Sequence, residues 1–479
     1  MTVPALALAP VLITGTGTGA TARTLDEQLL DRAARPDYDT WLHGTAAAGG
    51  CIRPIRLRGT IRDLDPATGE ILRTLDTAAL PDHVLYTPCG DRRASVCPAC
   101  AETYRRDTYQ LIRAGLTGGK GVPDTVTSHP CVFATFTAPS FGPVHTRKVQ
   151  ADGRIARCRP RRKAPACPHG RRLSCALRHK ENDPCLGRPL CPDCYDYDGA
   201  VVWNAHASEL WRRTTIAIRR QLARTARAHG TGKVQLSYAK IAEFQGRGLV
   251  HFHAIFRLDA TTGDGQLVPP ALDAGQLTEA IRAAATSTWF ATVAHPARAK
   301  GWDIRWGPQL DTRTIQLPAG GSSPNIAVAS YLAKYATKST EAVGTVNCRI
   351  TAANVSWYGN PRSHQGRLIR AAWHLGSHDH PDFAALRRWA HMLGYRGHFA
   401  TKSRRYSTTM RALRAARADY RRRHNPAPIG HGDQAAITIT SLEWAGSGWR
   451  TTGDALLALS AAARARDHQA AARDAAHAA

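Results

Sequence analysis

Residues 233–244 and 249–258 are two apolar, β-prone runs separated by the turn sequence Gln245-Gly246-Arg247-Gly248. That pattern predicts an antiparallel hairpin and commits the chain to a sheet built around it. A shorter run of the same kind, 132–137, is ended by Pro139, and 302–306 is a further candidate strand. Helices are expected against this sheet. Trp203, Leu210, Trp211, Ile216, Ile218 and Leu222 recur near a 3.6-residue period, which predicts a helix from 201 to 229. Others are expected over 101–114, 271–293, 383–393 and, strongly basic, 408–423. One more runs over 323–339, opened by Ser323 as N-cap with Pro324 in the first turn. An apolar content of 43% is enough for a sizeable core. No apolar run approaches the roughly 18 residues of a membrane span.

Successive strand side chains point to opposite faces, so His251 and His253 project together while Phe252 points into a core. Two imidazoles on one rigid strand make half of a divalent-metal site. Glu243, returned alongside by the hairpin, is the chosen third ligand, and Gln245 is its nearest competitor. A mixed His/carboxylate set suits Mg²⁺ or Mn²⁺ and leaves positions open for phosphate oxygens. The motif is weak alone: 21 histidines produce roughly one His-x-His by chance. A second one, His378-Asp379-His380, lies between Gly376 and Pro381 and reads as a solvated loop. The plain alternative for His251 and His253 is a pair of satisfied strand histidines.

A second motif follows downstream. In the sequence from Ser330 to Lys338, Tyr331 and Tyr335 fall one helical turn apart, with Lys334 and Lys338 three residues after each. A phenol is a poor nucleophile at its ordinary pKa near 10. Metal polarisation of a phosphate and a nearby ammonium both lower that barrier. Ala329, Leu332 and Ala336 form an apolar face small enough to pack on a sheet. The alternative is two core tyrosines with the lysine heads reaching solvent.

Of 12 cysteines, 11 precede residue 200 and sit among CxxC pairs without a secretion signal, which favours zinc in a reducing cytoplasm over disulfides. Cys97/Cys100 and Cys191/Cys194 are zinc half-sites. Cys51 and Cys89 are candidates to complete the first. The second would take two of Cys158, Cys167, His169, Cys175 and Cys185, while Cys131 and Cys348 read as core residues. Lys plus Arg number 64 against 37 Asp plus Glu, a net charge of +27 that points to a polyanionic partner. Arg-rich loops such as 159–163 would face duplex DNA. No phosphate-binding GxxxxGK[ST] is present, since Gly15–Gly19 and Gly118–Gly121 lack the spacing.

Taken together, His-hydrophobic-His on a strand followed by Tyr-x-x-Lys on a helix resembles the HUH endonucleases that start rolling-circle replication. Tyr331-x-x-Lys334-Tyr335-x-x-Lys338 is especially similar to the two-tyrosine initiators of small circular-DNA phages, and residues 243–253 resemble that group's glutamate-plus-HUH segment. The run 132–137 fits the family's first motif. Closer still is a resemblance to the replication initiators of actinobacterial plasmids and integrative elements, carried by segments 114–123, 138–145, 190–197 and 402–407 and spanning most of 50–425. The resemblance implies a metal on Glu243, His251 and His253, and attack by Tyr335 to leave a 5′-phosphotyrosine and a free 3′-OH. Related plasmid initiators can carry a glutamate four residues before the nucleophile; here that residue is Tyr331, which either alternates with Tyr335 or packs. Double-strand origin DNA, single-stranded DNA and a host helicase are the implied partners.

The expected architecture is α+β: an HUH-type antiparallel sheet with packed helices, zinc-stapled Cys-rich segments and a helical basic C-terminal region. Its expected divisions are a flexible leader (1–45), a zinc-binding region (46–130), the nuclease domain (131–345) with a Cys/His-rich insert at about 146–194, a basic extension (346–425) and a partly disordered tail (426–479). A cytoplasmic protein without a membrane partner is expected. Two other readings stay open at this point: a relaxase or transposase of the same chemistry, and a non-catalytic zinc-containing DNA-binding regulator. Typical relaxases place the tyrosine before the histidines, the reverse of the order here.

Overall fold

The computed structural model describes residues 23–161, 163, 165–263, 267–315, 329–332, 348–377, 381–424 and 436–478. The chain divides into two units, one formed by 1–89 with 432–479 and the other by 90–431.

In the second unit, β5 (Val234–Phe244) and β6 (Val250–Thr261) pair antiparallel from Val234 opposite Ala260 to Phe244 opposite Val250. β4 (Cys131–Phe136) pairs with the other edge of β6, and β10 (Leu310–Thr314) lies beyond it. β11 (Ala400–Lys402) closes the far side of β5, giving the order β10-β4-β6-β5-β11, with the two-residue β7 (Leu267–Val268) added on β6. The histidine strand is therefore central.

Alternation along β6 splits its side chains between two cores. Phe252, Phe256 and Phe136 of β4 enter the larger one, under the long helix α4 (Tyr197–Ala228) and α5 (Ala274–Ser287), where they meet Trp211 and Trp306. On the opposite face Ile241 and Ile255 pack with Ile112 and Leu116 of α3 (Pro98–Thr117), with Ala329 and Leu332, and with Tyr406. That second face carries His251 and His253.

The turn of the hairpin is locked from beneath. Asn204 of α4 is fully buried; its Nδ2 donates to the carbonyls of Gly248 and Leu393, both at 2.9 Å, and its Oδ1 accepts from the Val250 amide at 3.1 Å. Gly248 has φ +77°, a left-handed conformation that favours glycine, and a Cβ there would press against Leu368 Cδ1 at 2.4 Å.

The first unit has α1 (Leu25–Ala33), α2 (Tyr38–Thr45), the strands β1 (Ile55–Leu64), β2 (Ile71–Asp76) and β3 (Leu85–Thr87), then β12 (Ile437–Ser447) and the helix Thr452–Ala478. β1 pairs with β12, β2 and β3, all antiparallel. Buried Arg32 is held by Asp454 at 2.6 Å and Asp82 at 3.0 Å.

Several expectations are corrected here. Leu25–Ala33 and Tyr38–Thr45 are helices and the second buries Trp41, so a leader running to 45 is too long. Within the supposed tail, Ile437–Ser447 pairs with β1 and Thr452–Ala478 is helix. The region 46–130 contributes a sheet as well as cysteines. The supposed extension is not separate: β11 joins the central sheet and helix His364–Leu375 packs on α4. The helix expected to reach 293 stops at Ser287, and Trp289–Ala291 pairs as a strand with Asp303–Arg305. Cys348 is exposed, whereas Cys131 is buried.

Candidate metal centres

The β5–β6 register sets Glu243 opposite His251 and Ile241 opposite His253. Glu243 Oε2 lies 3.0 Å from His251 Nε2 and 3.3 Å from His253 Nε2, and the imidazole centroids are 4.3 Å apart. One ligand atom from each of the three residues falls within 4.8 Å of the others. Gln245 is placed in the turn, where its Oε1 accepts from Arg247 Nε at 3.0 Å.

Neighbours orient this group. Thr135, opposite His253 on β4, has Oγ1 3.1 Å from His253 Nδ1, which leaves Nε2 directed at Glu243. Phe133 stacks on the His253 ring at 5.9 Å and 15°. Burial, the largest influence on His251, holds its pKa below the usual imidazole value, so the ring is neutral at pH 7 and able to offer a lone pair. A carboxylate and two imidazoles on one face of the sheet fit a divalent cation that keeps other positions open.

Tyr331 belongs to a helical segment, residues 329–332, whose Ala329 and Leu332 are fully buried against the same face. Its ring meets His253 edge-on at 5.6 Å and Phe133 at 6.0 Å, and it remains 42% exposed. Tyr335, Lys334 and Lys338 lie outside the described residues, as do His378 and His380.

The cysteines gather with histidines. In the first unit the Cys89 amide donates to the Cys51 sulfur at 3.4 Å. In the second, Cys97 is the N-cap of α3 and Cys100 lies in its first turn, where aligned peptide dipoles favour thiolates. Cys191 and Cys194 meet Cys167 and His169, two of the five residues expected to compete for that place. A further group, His145, Cys158, Cys175 and His179, was missed by spacing. Its best signal was Cys175-x-x-x-His179, obscured by Cys185, which belongs to neither group. Each of these clusters has a donor set that could hold a metal such as zinc.

The family model described as replication initiator protein, pSAM2 (RepSA), matches residues 37–463. The chain belongs to this family of replication initiator proteins. A replication initiator protein of Streptomyces ambofaciens is 42% identical over 461 residues, covering 93% of this chain and 95% of that protein. No solved structure matches the chain. For a replication initiator of this family, the matched span includes Glu243, His251, His253, both tyrosines and the eight Cys/His residues of the two insert clusters. Among the described residues, no helix is long and apolar enough to cross a membrane.

Proposed function

We propose that this initiator works by rolling-circle nicking on an HUH-type fold. What supports the reading most is the convergence of Glu243 of β5 with His251 and His253 of the central strand, with Tyr331 of the tyrosine motif packed edge-on to His253. Those three residues would hold Mg²⁺ or Mn²⁺, which when bound supplies Lewis-acid polarisation of the scissile phosphate. Thr135 keeps His253 in register for that task. The Tyr335 phenolate oxygen bonds to phosphorus as the bond from phosphorus to the 3′ oxygen breaks. The departing oxygen takes up a proton, and the 5′ end stays on Tyr335 as a phosphotyrosine. Lys334 and Lys338 would offset the charge that builds on the phosphate. The released 3′-OH primes synthesis, and attack by a 3′-OH on the phosphotyrosine rejoins the ends at termination. Tyr331 is either the second nucleophile in that exchange or a packing group over His253. The excess of basic residues supplies affinity for origin DNA.

Incubating the protein with supercoiled origin plasmid and Mg²⁺ or Mn²⁺ tests this directly. The expected products are nicked circles and an SDS-resistant protein–DNA adduct, both abolished by Tyr335→Phe. Nicking that survives Tyr335→Phe, or no nicking with any divalent metal, sinks the mechanism; the second outcome leaves a non-enzymatic DNA-binding regulator. Tyr331→Phe with first-round nicking intact and termination lost would make it the second nucleophile.

A further inference from the structure

Between His145 and Arg188 the chain forms almost no regular structure, and its backbone is tied by isolated bridges such as Arg159 with Cys175. Over 146–188 the buried residues, among those described, are Cys158, Cys175 and His179. A segment of this size that buries cysteine and histidine in place of apolar side chains has no hydrophobic core to hold it. Segments of that kind are ordinarily held by metals or disulfides.

We infer that this insert is held by two zinc ions with interleaved ligands: His145, Cys158, Cys175 and His179 take one, and Cys167, His169, Cys191 and Cys194 the other. In chain order the ligand pairs alternate, first site, second site, first, second, so neither loop can be removed without crossing the other site. The distances match zinc. Tetrahedral Zn–N of about 2.0 Å and Zn–S of about 2.3 Å place ligand atoms roughly 3.3–3.8 Å apart. In the first site His145 Nδ1 is 3.2 Å from His179 Nε2, and Cys175 Sγ is 3.5 Å from the same nitrogen. In the second, His169 Nδ1 is 3.2 Å from Cys194 Sγ and 3.8 Å from Cys191 Sγ.

The surrounding shell of the first site is also that of a metal centre. His179 turns Nε2 inward while its Nδ1 lies 2.6 Å from Asp183 Oδ2, the carboxylate–histidine pairing that fixes a ligand's tautomer. The Thr146 amide donates to Cys158 Sγ at 3.1 Å, as backbone groups do to a thiolate. The consequence reaches the Glu243 hairpin. His145 exchanges backbone hydrogen bonds with Gly187 and Arg188, and Gly187 rests so closely on the Gly246 peptide that a Cβ would come within 2.2 Å of it. Arg247 donates to the carbonyls of Pro139 and Ala138 at 2.9 and 2.8 Å. Zinc at the first site thus braces the turn that joins Glu243 to His251.

Native mass spectrometry and elemental analysis of the full chain count zinc without reference to nicking, so failure here is separable from failure of the mechanism above. Cys158→Ser with His179→Ala is expected to lose at least one zinc equivalent relative to the parent. Asp183→Asn, which leaves all eight ligands and a partly exposed position, keeps the fold testable. It should release one equivalent to a chelator with roughly tenfold weaker affinity while the rest are unchanged. An unaltered zinc count in the double variant overturns the proposal, as does a Cys158–Cys175 disulfide in the purified protein or parent-like release from Asp183→Asn.

Discussion

The β5–β6 hairpin carries a carboxylate near each end, Glu243 beside the turn and Asp259 at the far end, and both face the same side of the sheet. Asp259 is fully buried and saturated. His129 Nδ1 and Arg257 Nε lie 2.7 Å from one oxygen, while Ser237 Oγ and Arg257 Nη2 donate to the other at 2.6 and 3.1 Å. Arg257 also donates to the carbonyls of Gly115 and Tyr406, which ties α3 and the 402–407 segment to the strand. Burial is the largest influence on Asp259 and acts to raise its pKa, but the hydrogen bonds from His129, Arg257 and Ser237 together hold it below the usual carboxylate value. Glu243 instead faces two imidazole nitrogens at the accessible end, and its side chain is 12% exposed. Donors that satisfy a carboxylate make it structure; imidazoles that share its need for a cation leave it able to serve as a ligand.

Breaking the structural end should have the larger effect on stability. Asp259→Ala leaves Arg257 buried without its counter-charge and is expected to cost about 3–5 kcal/mol in urea denaturation. A cost below about 1 kcal/mol would show that the network is not what holds the strand. The acid limb has a definite sign. Because the folded pKa lies below the unfolded value of about 3.9, the contribution of Asp259 is complete above pH 4 and is lost as pH falls through the folded value. Asp259→Asn should therefore flatten the stability profile below pH 4.

The ligand end should show the reverse pattern. Glu243→Gln is expected to weaken Mn²⁺ binding, read by electron paramagnetic resonance, at least about 100-fold with stability changed by less than about 1 kcal/mol. If the melting curve collapses while Mn²⁺ affinity holds, the contrast between the two ends is wrong. Thr135→Val removes the hydroxyl beside His253 Nδ1, and a roughly tenfold loss of Mn²⁺ affinity is expected from a group of that kind.

The smallest effect belongs to Lys240, which points to the opposite face. It is 3% exposed, with Nζ 4.1 Å from the Phe252 ring centroid, and burial pushes its pKa down to about 7. Since the unfolded value is about 10.4, the unfolded chain binds more protons between these limits. Stability should rise as pH goes from about 7 towards 10. Lys240→Met should remove that rise and add about 1 kcal/mol near pH 6. A pH-independent plateau in the parent would contradict this burial.

Much of the second unit was legible because its signals are local. Strand alternation and a glycine turn locate the hairpin, and the same turn puts Glu243 within reach of the histidines. The first unit was opaque for the opposite reason. β1 finds its partner β12 across almost the whole chain, Leu64 opposite Ile437, and no short-range pattern announces such a pairing. Neither strand buries a clean apolar face either, so alternation carries no signal.

The sequence by itself determined the α+β class, the histidine hairpin, the cysteine-rich character of the insert and a strongly basic net charge. These follow from side-chain periodicity, residue chemistry and charge, which are written locally. Only the tertiary structure decided which cysteines share a cluster, that His145 and His179 join them, and that Tyr331 packs against His253. Those are meetings between segments far apart in the chain. Spacing limits what can reach a common point, whereas backbone hydrogen bonds and close glycine contacts select what does.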